Sequence, residues 1–348
     1  MRETLVIVIF LVILGAAASA QIFLLDEDKV VLKIFHAGSL SKPMSDMEKK
    51  FEEEHPDVDV RREVSGSTAA IRKVTELGKN ADVVMSADYS LIHSMMMEGD
   101  EKYADYCIQF ARNQMTLAYT ERSAYKNDIN MSNWFEILMK KDVRFGFSNP
   151  NDDPCGYRAL MVIQLAEIFY GQEEIFDKLV EKNSEIIYSF NNGTHNIIIP
   201  KNSEIHPKND KIVMRDAEIH LMTSLELGEI DYLFIYRSVA YQFEGQGVKY
   251  LELPAEIDLS DTAHANTYEQ VRVITSSGRT VSGKPIVYGV SIPRNAEKPE
   301  LALEFIKMLL GETGRGIMES RGQRNITPAV CDERVQLPDA VKSYVESI

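Results

Sequence analysis

Three short segments of this chain each join a hydrophobic run, a turn rich in Gly, Ser and Asn, and the start of a helix. They are His36-Ala37-Gly38-Ser39-Leu40-Ser41, Ser65-Gly66-Ser67-Thr68 and Ser148-Asn149-Pro150-Asn151-Asp152-Asp153-Pro154-Cys155-Gly156. A helix N-terminus offers unpaired amide donors and a partial positive charge. Three of them converging on a cleft can hold a dianionic oxyanion without any lysine or arginine. The same residue types also cap helices, and Ser39, Ser41 or Ser67 taken alone reads first as a cap.

Other chemistry-bearing residues point nowhere as sharply. His36 is a lone histidine at a strand end, better read as packed or solvated than catalytic. Met95-Met96-Met97 cannot share one helical face and reads as core. Glu52-Glu53-Glu54 reads as a solvated helix face, and Arg237 as either a ligand cation or a structural brace. Cys107, Cys155 and Cys331 leave at least one thiol unpaired and lack metal-ligand spacing, so a disulfide cannot be assigned. Neither a G-x-S-x-G elbow, a phosphate-binding P-loop nor an H-E-x-x-H element is present. An enzyme would need such a nucleophile pair or open metal site.

The elements that must position the three turns alternate in type. Strands are predicted over 30–35, 58–64, 81–85, 115–119, 143–147, 230–236 and 284–292. Helices are predicted over 42–55, 69–78, 155–170, 217–226, ending at Gly228, and 300–310, ended by Gly311. This order predicts an α/β protein with mostly parallel sheets flanked by helices. At 348 residues the chain exceeds what one core usually serves. Two lobes are expected: residues 30–118 plus 287–348, and residues 119–286, with the chain crossing near Tyr119 and returning near Pro285. The segment from Pro200 to Lys211 reads as a solvent-facing loop.

The N-terminus reads as export. Arg2 precedes an apolar run from Leu5 to Leu14 and then Gly15-Ala16-Ala17-Ala18-Ser19-Ala20, a signal peptide over residues 1–20 with an A-x-A-like end. The competing reading is an uncleaved anchor, because apolar residues continue to Leu25. Either way the folded body faces outward, secreted or held at the cell surface. Its formal charge of −15 argues against nucleic acid and against long-range steering of an anion. An anion site here must work by local donors.

Taken together, His36-Ala37-Gly38-Ser39-Leu40, Ser65-Gly66-Ser67, Ala81-Asp82-Val83-Val84, the turn from Ser148 to Gly156 with Tyr157-Arg158, Gly228-Glu229-Ile230-Asp231-Tyr232 and Ile235-Tyr236-Arg237-Ser238-Val239-Ala240 form an ordered set. This set resembles the archaeal tungstate/molybdate-binding proteins of ABC importers, from about Val31 to Pro328. The resemblance implies a two-lobed, type II periplasmic-binding-protein fold that is not an enzyme. It implies a monomer that binds tungstate or molybdate as its ligand, needs no cofactor, and delivers the ligand to a membrane permease. By position, Ser39 and Ser67 would donate from one lobe, and Cys155, Gly156 and Tyr236 from the other. Asp153 and Glu218 would approach the metal itself and complete a six-coordinate shell. Read without the resemblance, Asp153 is a turn residue and Glu218 a surface acid. A receptor for sulfate, phosphate or an organic anion, an enzyme on the same fold, and the sensing lobe of a transcription regulator are the competing readings.

Overall fold

The computed structural model describes residues 29–347. The signal or anchor read over residues 1 to 25 lies outside them. Among the described residues no helix is long and apolar enough to cross a membrane.

The chain opens with three strands, β1 (Val30–Ala37), β2 (Val58–Ser65) and β3 (Val83–Ser86), joined by helices Ser41–Glu54 and Ser67–Thr75. β2 and β3 both pair with β1 in parallel, as strand–helix–strand units require. Val30 to Phe35 extends as predicted and continues to Ala37, so His36 lies within a strand and is fully buried. Met44, Met47 and Phe51 recur at helical spacing and seat the first helix on the sheet with no exposed surface.

After β4 (Ile108–Arg112) the chain leaves this sheet, and β5 (Met115–Thr120) already belongs to another. The second lobe holds two sheets. One is five-stranded in the order β11-β5-β10-β6-β9 and includes β6 (Phe145–Ser148), β9 (Ile212–Arg215), β10 (Tyr232–Tyr236) and β11 (Val248–Glu252). The other is four-stranded, β13-β12-β8-β7, from β7 (Ile187–Asn191), β8 (Thr194–Ile198), β12 (Val271–Ile274) and β13 (Thr280–Ser282). Helix Pro154–Tyr170 packs against strands of both sheets, and every residue from Pro154 to Glu167 is buried. Its sequence is apolar on all sides because neither flank faces water. Gly228 closes helix Leu221–Leu227 in a left-handed conformation, φ 78°.

The chain then returns. β14 (Val287–Ser291) inserts antiparallel between β3 and β4, and β15 (Arg324–Cys331) and β16 (Val345–Ser347) complete a seven-stranded sheet, β16-β15-β4-β14-β3-β1-β2. The first crossing is Asn113-Gln114, ahead of the Tyr119 read from sequence, and the return lies between Ser282 and Val287. Strands laid down before and after the excursion run antiparallel, so the sheet is mixed, with the parallel pairing confined to β1–β3 and the β15/β16 edge. Gly311 does end helix Pro299–Leu310, but in extended geometry and as a break before a second helix, Glu312–Ser320.

Candidate functional site

The three turns meet where the lobes touch. β1 runs through a single 3-10 turn, Gly38–Leu40, into helix Ser41–Glu54, and β2 runs through Gly66 into helix Ser67–Thr75. Neither helix start carries a side-chain cap, and neither Ser39 nor Ser67 caps its own helix. From the other lobe β6 leads into helix Pro154–Tyr170, where Asp153 is the N-cap and accepts from the Cys155 amide at 3.1 Å. The turn reading of Asp153 is therefore right as far as it goes.

Three hydroxyls at this junction have their acceptor side occupied by neighbours. Ser39 Oγ accepts from the Tyr288 hydroxyl at 2.9 Å, and that hydroxyl accepts in turn from Asn113 Nδ2 at 2.9 Å. Ser67 Oγ accepts from the Ala87 amide at 2.9 Å. The Tyr236 hydroxyl accepts from Arg158 Nη1 at 2.7 Å, and a guanidinium can only donate. Each hydroxyl thus keeps its own proton to give to an anion. All three residues are buried.

Two carboxylates face these donors. Asp153 Oδ2 accepts from the Glu218 amide at 2.9 Å, which fixes Glu218 at the first residue of a 3-10 turn, Glu218–His220, and not within the longer helix predicted over 217–226. Glu218 is 1% exposed and neither of its carboxylate oxygens has a hydrogen-bond partner. Burial first, and then the charge of Asp153, push its carboxyl well above the ordinary glutamate range. A buried acid left unsatisfied beside a second acid is costly. Such a group in a lobe junction is a functional-site candidate.

The lobes are shut against each other here. An added Cβ on Gly38 would lie 3.1 Å from Glu218 Oε2. On Gly66 it would fall on the Asp152 carbonyl, 2.8 Å from Asp153 Cβ. At Gly66 only glycine admits this approach, whatever its φ, whereas at Gly38 a methyl group would require the Glu218 carboxyl to give by a few tenths of an ångström. Arg72 pairs with Asp152 at 3.0 Å, and Lys42 Nζ donates to the Gln242 carbonyl at 2.7 Å, bridging the same gap. Beneath them Arg158 Nη1 donates to the Ala87 carbonyl at 2.8 Å, and the Tyr157 hydroxyl donates to Asp88 Oδ2 at 2.6 Å. Burial alone would raise the Asp88 pKa, but Lys284 and Arg158 outweigh it and hold the carboxyl below the usual range.

Of the predicted residues, Ser39, Ser67, Asp153, Glu218, Cys155, Gly156 and Tyr236 all lie at this junction or one hydrogen bond from it. The amides of Cys155 and Gly156 are taken within their own turn, by Asp153 Oδ1 and by the Asp153 carbonyl at 3.0 Å. The Cys155 thiol faces the Phe234 carbonyl at 3.8 Å, and burial raises its pKa. Tyr288, Asn113, Asp88 and the bracing role of Arg158 are not legible in the sequence. Asn113 and Tyr288 sit at the two crossings, where neither composition nor periodicity signals a function. His36 stays out of the junction: Nδ1 donates to the Ala37 carbonyl at 2.8 Å, and burial lowers its pKa to about 4. Arg237 braces structure, pairing with Glu252 at 2.8 Å.

Comparison with known proteins places this geometry. A family model described as bacterial extracellular solute-binding protein matches residues 32–324. The molybdate/tungstate-binding protein WtpA of Pyrococcus abyssi is 45% identical over 323 residues, 90% of this chain and 90% of that protein. Its counterpart in Thermococcus kodakarensis is 44% identical over 328 residues, 92% of this chain and 88% of that protein. An uncharacterized solute-binding protein of Methanococcus maripaludis strain C5 is 44% identical over 322 residues, covering 92% and 89% of the two chains. Among solved structures, the periplasmic molybdate-binding protein of Azotobacter vinelandii superposes with a TM-score of 0.57 at 15% identity, covering 84% of this chain and 98% of that one. The sulfate-binding protein SubI of Mycobacterium tuberculosis gives 0.57 at 12% identity, covering 85% and 87%. At those identities the likeness is one of fold, a two-lobed periplasmic binding protein. With its two lobes shut on a junction of buried hydroxyls and carboxylates, and with the family model covering most of its length, the chain belongs to the bacterial extracellular solute-binding protein family.

Proposed function

We propose that the chain captures tungstate or molybdate between its lobes outside the cytoplasm and delivers it to the membrane permease of an ABC importer. The observation that carries this reading is Glu218, a buried carboxylate with two unpartnered oxygens held beside Asp153 and across from Gly38. A carboxylate pair repels a dianion's oxo groups. On coordination Glu218, uncharged in the free protein, gives its proton to solvent, and the pair then suits the metal at the centre of tungstate or molybdate, a highly charged and oxophilic ion that takes hard oxygen ligands. Sulfur in sulfate cannot expand its shell comparably, so the pair supplies selectivity as well as affinity. Ser39, Ser67 and Tyr236 then donate to the oxo groups. Cys155 and Gly156, whose amides already have partners, contribute by shaping the turn and by shared hydrogen bonds.

Binding can shift the open–closed balance only through contacts made better in the closed form. Donors from both lobes meet that condition: Ser39 and Ser67 on one side, Asp153, Glu218 and Tyr236 on the other. With the crossings at Asn113-Gln114 and between Ser282 and Val287, the lobes proposed are residues 30–112 with 287–348, and residues 115–282, in place of the first boundary at 118 expected from the sequence. The names of the relatives at 44–45% identity support the ligand class.

The test is a thermal melt of the chain lacking residues 1–20, stripped of carried-over ligand, with tungstate, molybdate or sulfate at equal concentration. Ligand at ~1,000 times its dissociation constant adds ~4 kcal/mol, a shift of several degrees for domains of this size. A rise with tungstate and molybdate and none with sulfate is expected. A rise with sulfate equal to that with tungstate, or none with any of the three, would reject the assignment.

A further inference from the structure

A second set of ligand-type side chains, unused by the clamp, gathers on the first lobe. His93 opens a π-helical turn, His93–Met97, that continues helix Tyr89–Ile92. Such turns recur at functional sites. Cys331 is the last residue of β15, and Asp332 and Glu333 follow it. Cys107 directly precedes β4, and the antiparallel register pairs Val330 with Gln109, so Cys107 and Cys331 come to the same end of adjacent strands. Gly289 of β14 makes room for this: an added Cβ would sit 2.6 Å from Cys107 Sγ and 2.9 Å from Tyr89 Cα.

The outcome is a compact cluster of mixed donors. His93 Nδ1 lies 3.7 Å from Glu333 Oε1, and Cys331 Sγ lies 4.0 Å from Glu333 Oε2. Ligand atoms of His93, Asp332 and Glu333 all fall within 4.8 Å of one another. Cys331 is fully buried and forms the floor. The side chains of His93 and Glu333, 19% and 30% exposed, form the walls, and exposed Asp332 the rim. The Cys107 thiol is turned toward the Tyr89 carbonyl at 3.8 Å.

Around a tetrahedral zinc, bonds of ~2.0–2.3 Å to nitrogen, oxygen and sulfur put neighbouring ligand atoms ~3.3–3.8 Å apart. The His93–Glu333 and Cys331–Glu333 separations of 3.7 and 4.0 Å are close to that spacing, so Glu333 is the carboxylate that links the imidazole to the thiol. Carboxylates alone would suit calcium or magnesium, but a buried thiol with an imidazole favours a softer ion. We propose that Cys331, His93 and Glu333, with Asp332 at the rim, bind one divalent transition-metal ion of the zinc class. Binding releases the Cys331 thiol proton to solvent, and the cation offsets the repulsion between Asp332 and Glu333. This site does not depend on the oxyanion reading.

The experiment titrates cobalt(II), and then zinc(II), into the reduced, chelator-treated full chain. One cobalt per chain, a thiolate-to-cobalt charge-transfer absorption, and its loss on adding zinc are expected. Cys331→Ser should abolish the absorption, His93→Ala should weaken cobalt binding at least tenfold, and Cys107→Ser should change neither. Circular dichroism and the melting temperature report folding of each variant. If Cys331→Ser fails to fold, His93→Ala decides on the same readouts. Absence of the thiolate band, cobalt affinity unchanged in His93→Ala, or a Cys107–Cys331 disulfide in chain isolated without reductant would each overturn the proposal.

Discussion

Replacing Glu218 by glutamine should make the ligand-free chain more stable at neutral pH and a worse receptor at every pH. The carboxyl is buried, lacks hydrogen-bond partners, and is pushed well above its ordinary pKa by burial and by Asp153. A carboxyl raised on folding contributes its full stability below the unfolded value of ~4.3 and loses it as pH climbs through the folded value. Within that window each pH unit costs ~1.4 kcal/mol. A glutamine side chain keeps the shape and cannot ionise. The Glu218→Gln variant should therefore match the parent near pH 4 and gain on it by ~1.4 kcal/mol per pH unit until the parent's carboxyl ionises in the folded chain. At this size ~1 kcal/mol moves the melting temperature ~2–4 °C. Thermal melts from pH 4 to pH 8 in oxyanion-free buffer read this directly, and the same series with tungstate should show the variant's affinity down at least tenfold, ~1.4 kcal/mol. A Glu218→Gln chain that is less stable than the parent, or differs from it equally at all pH values, would refute the claim that this carboxyl is buried and uncharged in the free protein. Unchanged tungstate affinity would remove Glu218 from the binding set.

Three further outcomes follow from the same geometry. Gly66→Ala places a methyl group on the Asp152 carbonyl, so it should hold the lobes apart. Small-angle scattering should give a larger radius of gyration in saturating tungstate than the parent shows, and calorimetry at least tenfold weaker binding. Asp153→Ala removes both the cap on helix Pro154–Tyr170 and the acceptor of the Glu218 amide. Urea unfolding should register a loss of ~1 kcal/mol or more, with Asp153→Asn losing less and both binding tungstate at least tenfold more weakly. His36 is held down to about pKa 4 by burial against ~6.5 when unfolded, so its contribution is complete above pH 6.5 and fades toward pH 4, ~3 kcal/mol in all. NMR titration of the imidazole, together with a flatter acid limb in His36→Asn measured in the Glu218→Gln background, checks that value free of the opposing glutamate slope.

Local pattern was enough for the elements that carry the turns and not for those that close the sheets. Val30–Ala37, Val58–Ser65 and Pro154–Tyr170 follow from an apolar run bounded by Gly, Ser or Pro. β4 and β15 depend on partners far along the chain, β16 depends in turn on β15, and no nearby residue signals them. The β7/β8 hairpin does carry a local signal: Asn192-Gly193 take φ 52° and 76°, the signature of a two-residue turn. Among site residues, the serines were visible as turn residues, but their freedom from capping depends on Tyr288 and Ala87, which only the fold brings near. Glu218 could not be distinguished from any surface acid by spacing, because its burial and its place beside Asp153 are set by the fold and by no neighbour in sequence. It lies in none of the motifs that carry the resemblance, and only its matching position in the family singled it out.

The excursion of the chain into the second lobe sets an order on how the molecule is made. β14 fills the gap between β3 and β4 only after residue 286 has emerged, so a growing or translocating chain carries an incomplete first sheet until then. The second lobe's strands β5 to β13 are contiguous and can condense as one unit. The Tyr288 contact that orients Ser39 spans 249 positions, and contacts of that separation form slowly and late. A chain halted before residue 286 would hold a finished second lobe and no working clamp, so competence to bind is acquired abruptly, near the end of synthesis.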